Sequence, residues 1–485
     1  MFQFISNYGE TSTDSHQNII NLKKMKRLNN IIFLLLSFGS FTQAQTLTLD
    51  RFLRQIEENH PIVKQADLKI GQSRYAVLAA KGIFDPQLNY SFDSKKLLGD
   101  TYYNLNTPEL SLFTPIGLKV KMGMENASGK YLNAERTSGN LSYFGLEMPL
   151  LKDFILDKKR ATLKQAAVLV QSNEVDKRNA LNDLFLSALS DYYEWARNYQ
   201  QILVLEKNLN NAQERFQLTK VLEKNGDKSG IDTTEALSQL ISIQLMLENS
   251  FQSYNKSAIL LSSYVWDQNG EPMLLTNQTI PDTLILKSLP SIPVVESLIQ
   301  NIDMHPQIRF YDLKRNQLEI EQRLKKQALM PDLRVKMNLL SKDYYSFEPA
   351  MYSQLNNNYK IGLSLNVPLL FREGRGEYQK SVLKLKENDW LLKQKNWDLE
   401  TKIRGHQAEI LALAKQIKIS EQLLGNYESL LNLEEIRFSQ GESSLFIINS
   451  RQNKSLEAQL KLVELKNKYL QTWFKQQWAA GIINN

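Results

Sequence analysis

The sequence predicts a mainly helical protein with a smaller, membrane-compatible β portion, in which one unit of helix, strands and long helical hairpin occurs twice. Three observations carry this. His60-Pro61 in "ENHPIVKQA" returns as His305-Pro306 in "DMHPQIRFY", and each pair is followed 25 residues later by another proline, Pro86 and Pro331 (86 − 61, 331 − 306). After that second proline both copies alternate apolar and polar residues with period two, the mark of a strand with two unlike faces. The third is helical stretches too long for an ordinary domain.

The chain opens with an export address. Lys23, Lys24, Lys26 and Arg27 precede the apolar run "IIFLLLSFGSF", which exits through Thr42 and Ala44 at the −3 and −1 positions of a cleavage site. That pattern is a secretory signal over 25–44, with 1–24 as an extension or a misassigned start, and a mature chain expected to begin at Gln45. The first unit then covers 45–266. "HPIVKQADLKIGQSRYAVLAAKGIFDPQL" reads as a helix that stops at Asp85-Pro86, because proline has no amide proton and pushes its predecessor toward extended geometry. Strands follow over 87–148. Leu88, Tyr90 and Phe92 start the alternation, and Leu118, Val120, Met122 and Met124 alternate with Lys119, Lys121 and Gly123.

A helical hairpin over 151–266 comes next. From 151 to 224 there is neither proline nor glycine, a length of about 100 Å at ~1.5 Å per residue. Leu181, Phe185, Ala188, Tyr192, Trp195, Tyr199, Ile202, Leu205, Leu209, Ala212 and Phe216 recur in four–three steps, the 3.5-residue period of supercoiled helices. Leu189, Tyr193, Ala196 and Leu203 form a second stripe beside it, so this helix has neighbours on two sides, as a closed ring of helices requires.

After a linker over 267–293, the second unit, 294–485, repeats the plan: a helix to Pro331, strands over 332–368, and a hairpin over 372–480. Leu333, Val335, Met337 and Leu339, then Ile361, Leu363, Leu365 and Val367, supply its alternation, and "LNVPLL" closes it as "LEMPLL" closes the first. The span from Pro86 to Pro149 is 63 residues and from Pro331 to Pro368 is 37 (149 − 86, 368 − 331), so the first copy carries 26 more. The excess is expected in a hairpin or exposed loop, with turn residues Asn126, Ser128, Gly129 and Gly139.

Composition narrows the function. No cysteine is present, which removes disulfides, thiolate metal sites and Cys nucleophiles. The net charge of +7 comes from 59 basic and 52 acidic residues, interleaved along helical segments as on a solvated surface, not gathered in a nucleic-acid-binding block. No run of ~18 apolar residues could span a bilayer as a helix, which leaves a β-barrel open. G-x-S-x-G, P-loop, G-x-G-x-x-G and H-E-x-x-H motifs are absent, so no enzyme and no cofactor is expected. His60 and His305 read as matching helix entries with proline in the first turn. A shared metal site would need them to converge with a carboxylate.

The signal segment, the duplicated His-Pro…Pro order, the alternating strands, "PLL", and the related turns "RFQLTKVLEKNGDKSGIDTTEALSQL" and "RFSQGESSLFIINSRQNKSLEAQL" together resemble the TolC-like outer-membrane efflux family over about 47–478. The resemblance implies a homotrimer in which each subunit gives four strands to a 12-stranded transmembrane β-barrel and long helices to a periplasmic α-barrel tunnel. It implies an outer-membrane exit duct of a tripartite efflux pump or type I secretion system, fed by a periplasmic adaptor and an inner-membrane RND or ABC transporter. An exported structural coiled-coil protein without transport is the rival. The alternating strands themselves suit a wall with lipid outside and water inside, aromatic at Tyr102-Tyr103 and Tyr344-Tyr345.

Site residues follow by position. The hairpin turns around Arg215–Gly226 and Arg437–Gly441 are candidate adaptor-docking tips. Family members narrow the tunnel with acidic residues just past the first turn, and "GIDTTEA" places Asp232 and Glu235 there. Ile447 and Ser450 occupy the equivalent places in the second unit. Helix capping is the competing role for both acids.

Overall fold

The computed structural model describes residues 45–275, 279–342 and 358–483. The signal segment 25–44, the residues 1–24 ahead of it, and Tyr344 and Tyr345 lie outside the described residues. Strand β1 (Gln45–Leu47) leads into helices α1 (Leu49–Asn59) and α2 (Pro61–Gly82). Four strands follow: β2 (Gln87–Leu97), β3 (Asp100–Phe113), β4 (Lys119–Ser128) and β5 (Gly139–Pro149). The first hairpin is α3 (Lys158–Lys224) and α4 (Gly230–Leu261), and β6 (Thr279–Pro281) lies in the linker. The second unit holds α5 (Val295–Gln300), α6 (Pro306–Gln327), β7 (Asp332–Lys342), β8 (Tyr359–Asn366), α7 (Arg372–Ser439) and α8 (Leu445–Ala480).

The matched His-Pro steps are matched helix entries. His60 and His305 are the N-caps of α2 and α6, with Pro61 and Pro306 in the first turn. His60 Nδ1 accepts from the Ile62 amide at 3.2 Å, and His305 Nδ1 from the Gln307 amide at 3.0 Å. Because Nδ1 accepts, the proton sits on Nε2, and in His305 it points at the Trp478 carbonyl, 3.2 Å away. Among the described residues no cluster of His, Asp and Glu could hold a metal ion.

Burial pushes both imidazoles below the ordinary histidine pKa, although the Trp478 carbonyl, with Asp183, opposes it at His305, and Lys395 and Lys402 add to it. A lowered folded pKa means the fold favours neutral His. The stability this contributes is full above the ordinary pKa near ~6.5 and is lost as pH falls below it. Resistance to thermal unfolding should therefore weaken from pH 7.5 to 5. His305→Asn, which keeps a cap acceptor but does not titrate, should flatten that dependence, and His305→Ala should cost about 1 kcal/mol at pH 7.5. An unchanged pH slope in His305→Asn would contradict the cap.

The two stripes on α3 bury against different neighbours. Leu181, Phe185, Ala188, Tyr192, Trp195, Ile202, Leu205 and Ala212 join Leu240, Ile243, Leu247, Tyr254 and Leu261 of α4 in one core. Leu189 and Tyr193 of the second stripe meet Ile410, Leu413 and Ile417 of α7 with Leu465 and Tyr469 of α8 in another. Leu203 departs from its stripe and is 36% exposed. Strand β1 and the linker are strapped across these cores: Tyr192 Oη donates to the Leu47 carbonyl of β1 at 2.6 Å, and in the linker Tyr254 Oη donates to Thr279 at 3.0 Å and Tyr469 Oη to Pro290 at 2.7 Å. β1 and β6 pair in parallel within the same belt.

Two expectations are corrected. One chain holds six strands in a single antiparallel sheet, ordered β2-β3-β4-β5-β7-β8, where the resemblance implied four. The 26-residue excess takes the first of its two expected forms, a hairpin: the first unit has two hairpins where the second has one. The first long helix starts at Lys158 and not after "PLL", because Asp153 takes a left-handed backbone (φ 68°) and Asp157 provides the cap, accepting from the Arg160 amide at 2.9 Å.

Candidate functional site

The sheet separates two chemistries across its whole width. On one face stand Leu88, Tyr90 and Phe92 of β2, Leu110 and Leu112 of β3, Met122 and Met124 of β4, Leu146 and Met148 of β5, and Ile361, Leu363 and Leu365 of β8, all exposed. Val335, Met337 and Leu339 of β7 continue the band, since the register pairs them with Leu363, Ile361 and Tyr359. An apolar face this wide has no place in water. The opposite face carries Asn89, Ser91, Thr107, Glu109, Lys121, Glu147, Arg334, Lys336 and Ser364. There Glu147 lies between Lys121 (3.7 Å) and Arg334 (3.8 Å), and Arg334 also meets Asp332 at 2.8 Å. No helix among the described residues is long and apolar enough to cross a membrane.

At the far end of the helices the two hairpin turns share one geometry. Gly226 (φ 83°) and Gly441 (φ 81°) occupy the left-handed position that only glycine takes without strain. Asp227 donates its amide to Leu222 at 2.9 Å and Glu442 to Arg437 at 2.9 Å, closing α3 and α7 alike with a Schellman turn. The turns lie side by side, with Lys228 Nζ 4.7 Å from the centre of the Phe438 ring.

The arginines that looked equivalent are not. Arg437 is exposed and stays at its own turn, donating to the Glu442 carbonyl at 3.4 Å. Arg215 is half-buried and ties the hairpins together: it donates to Gln452 of α8 and, at 3.0 Å, to Glu435 of α7. Burial lowers its pKa while Glu435 opposes the shift. Further polar pairs continue this seam, Glu235 with Asn449 at 3.4 Å and Gln239 with Asn453 at 2.6 Å.

Asp232 and Glu235 are not brought together. Asp232 is the N3 residue of a capping box, accepting from the Ser229 amide at 3.0 Å and hydroxyl at 2.8 Å, and these bonds hold its carboxyl below the usual range. Glu235 turns to α8. Ile231 and Phe446, the residues just before Asp232 and its counterpart Ile447, carry no acid and no motif that marks them in the sequence. They are 79% and 70% exposed, one on each hairpin, in the first turns of α4 and α8. The available signal was an apolar residue at a helix start that has nothing to pack on.

Residues 300–475 match the family described as outer membrane efflux protein. That match covers little more than a third of the chain. The sequence match lies in the second unit, and the fold extends the likeness over both. The structure superposes on the Campylobacter jejuni CmeC outer membrane channel with a TM-score of 0.62 at 14% identity, covering 90% of this chain and 86% of that one. For the outer membrane protein VceC from Vibrio cholerae the values are 0.62 and 15%, with coverage of 89% and 96%. For the open state of the Neisseria gonorrhoeae MtrE outer membrane channel they are 0.63 and 12%, with coverage of 92% and 93%. A search of curated proteins by sequence returns no match. The solved structures that share this fold are described as outer membrane channels or an outer membrane protein.

Proposed function

We propose that this chain is an outer-membrane efflux protein, the passive exit duct of a tripartite pump or type I secretion system, formed by three copies that share one β-barrel and one helical tunnel. The observation that carries this is the sheet, apolar on its outer face and polar on its inner face, joined at one end to helices of 67 and 68 residues. An exported coiled coil without transport has no use for that apolar band. Exposed apolar stripes remain on the helices too, Leu237, Ile241 and Leu245 on α4 and Ile419, Leu423 and Leu433 on α7. In our reading they mate between subunits and close the helical ring.

A periplasmic adaptor docks on the tips, with Ile231 and Phe446 as its apolar anchors and the Gly226 and Gly441 turns beside them. An inner-membrane RND or ABC transporter supplies the cargo. Asp232 and Glu235, in three copies each, give the narrow end an acidic lining that attracts cations.

Planar-bilayer recording tests both levels. The purified protein should conduct in discrete steps, and the Asp232→Asn, Glu235→Gln double variant should lower cation-over-anion selectivity with trimer yield unchanged, because Asn at 232 keeps a side-chain oxygen to accept from Ser229 in the capping box. Conduction with unchanged selectivity would sink the acidic lining alone. Absence of conduction from folded, inserted wild type would sink the duct.

A further inference from the structure

From the six-stranded sheet we infer that the barrel closes with eighteen strands, β8 of each subunit pairing with β2 of the next; the inference rests on the shared-barrel reading above. Its first support is that β2 and β3 are wall, not appendage. The apolar band runs unbroken from β8 to β2, and so does the polar face. At 11 and 14 residues, β2 and β3 are long enough to span, since a tilted transmembrane strand needs about 9–11.

Cross-strand contacts hold them in the same surface. Tyr143 of β5 reaches over Gly123 of β4, where a Cβ would meet its ring at 2.5 Å, and donates to Glu109 of β3 at 2.7 Å. At the helix end, Arg160 of α3 donates to the Ile116 carbonyl in the β3–β4 turn at 3.5 Å, and Lys159 Nζ lies 3.9 Å from the centre of the Phe113 ring. The lower end of β3 is thereby fixed at the level where β5 meets its helix.

The register supplies the second support. Stepping across the sheet from Gln87 leads to Ser111, Lys121, Gly145, Asn338 and finally Lys360. Lys360 stands six residues from Asn366, the helix-side end of β8 (366 − 360). If the helix-side ends of β8 and the next β2 are level, Asn366 opposite Gln87, the stagger is six residues over six strands. Strand number and shear are then equal, which corresponds to a tilt of about 36°, inside the ~35–45° of membrane barrels.

That pairing is antiparallel and keeps both faces in phase: Leu365 meets Leu88, Leu363 meets Tyr90 and Ile361 meets Phe92 outside, while inside Ser364 meets Asn89 and Lys360 meets Asp93. A slip of two residues one way sets Lys360 against Lys95, and the other way against Ser91. Only the level register unites opposite charges. In the single chain Lys360 instead reaches Glu135 of the β4–β5 loop at 3.6 Å. Since barrel diameter grows roughly linearly with strand number, eighteen strands give a mouth about 1.5 times as wide as twelve.

The cysteine-free chain makes the test direct. Under mild oxidation of inserted protein, the pair Ser364→Cys with Asn89→Cys should yield covalent dimers and trimers, and the second pair Gly362→Cys with Ser91→Cys should do the same. Ser364→Cys with Lys121→Cys should not. If β2 and β3 folded away and twelve strands closed the barrel, β8 would neighbour β4 and the Lys121→Cys pair alone would cross-link. That outcome overturns the eighteen-stranded barrel and leaves the shared duct standing. No intersubunit cross-link from β8 in any pair, with insertion intact, overturns both.

Discussion

Replacing Leu363 with Arg is expected to remove assembled protein from the outer membrane, while Ser364→Arg leaves most of it in place. Leu363 stands on the outer face, 68% exposed and flanked by Ile361 and Leu365, opposite Val335 of β7. Its neighbour Ser364 points to the polar face, because successive residues of a strand face opposite ways. A charged side chain near the midplane of a barrel's lipid face costs roughly 2–4 kcal/mol, and a symmetric trimer takes that cost three times. An arginine at 364 joins the polar face that already holds Arg334, Lys336 and Lys360, the face that lines the water-filled interior of the proposed barrel. Membrane fractionation with heat-modifiable migration on gels reads the difference. Equal loss at both positions would mean a sheet packed on both faces, and the lipid-facing assignment would fall.

The second large effect lies in the helices. Trp195 is 0% exposed and has the greatest volume among the fully buried side chains of the described residues. Its ring stacks on Tyr254 of α4 at 6.0 Å and meets Tyr192 edge-on at 5.8 Å, and Tyr254 in turn holds the linker at Thr279. Trp195→Ala therefore opens a cavity where α3, α4 and the linker join, and about 3–5 kcal/mol should be lost. Leu203→Ala, on the same helix but in the exposed part of the second stripe, should cost well under half of that. Denaturant unfolding of detergent-solubilised protein, followed by helical circular dichroism, checks the order. Equal losses would contradict the packing of the first stripe as the central core.

The same two helices show what a sequence discloses. The four–three spacing from Leu181 to Ala212 announced a buried seam because supercoiled helices constrain every third or fourth residue, and the seam is buried. The His-Pro entries were legible for a local reason, as cap and first turn are neighbours in the chain. The number of strands was not legible in the first unit, because the alternation of the β2–β3 hairpin is apolar only near the helix-side end. Beyond Phe92 the strand runs "DSKKLLGDTYYNLNT", polar in composition, and backbone pairing rather than apolar residues carries it outward, through a tight turn at Leu98-Gly99 with φ of 52° and 89°.

The tips were legible only in outline. Gly226 and Gly441 marked the turns correctly, since a left-handed cap is a one-residue requirement. Arg215 and Arg437 occupy matching places in the repeat but have different partners, because Gln452 and Glu435 come from a different hairpin than Arg215. Long-range pairing of that kind leaves no local signature. Asp232 was visible as an acid past the turn, and its capping geometry follows from Ser229 three residues before it, a pattern equally present in the sequence.

Mass measurement of the detergent-extracted, purified protein tests the shared barrel most directly. A sheet with β2 and β8 free at its edges, and an apolar outer face with a polar inner one, cannot enclose a lumen alone, so the protein should exist as a trimer with three times the mass of one mature chain. A stable, folded monomer as the only species in mild detergent would contradict the account.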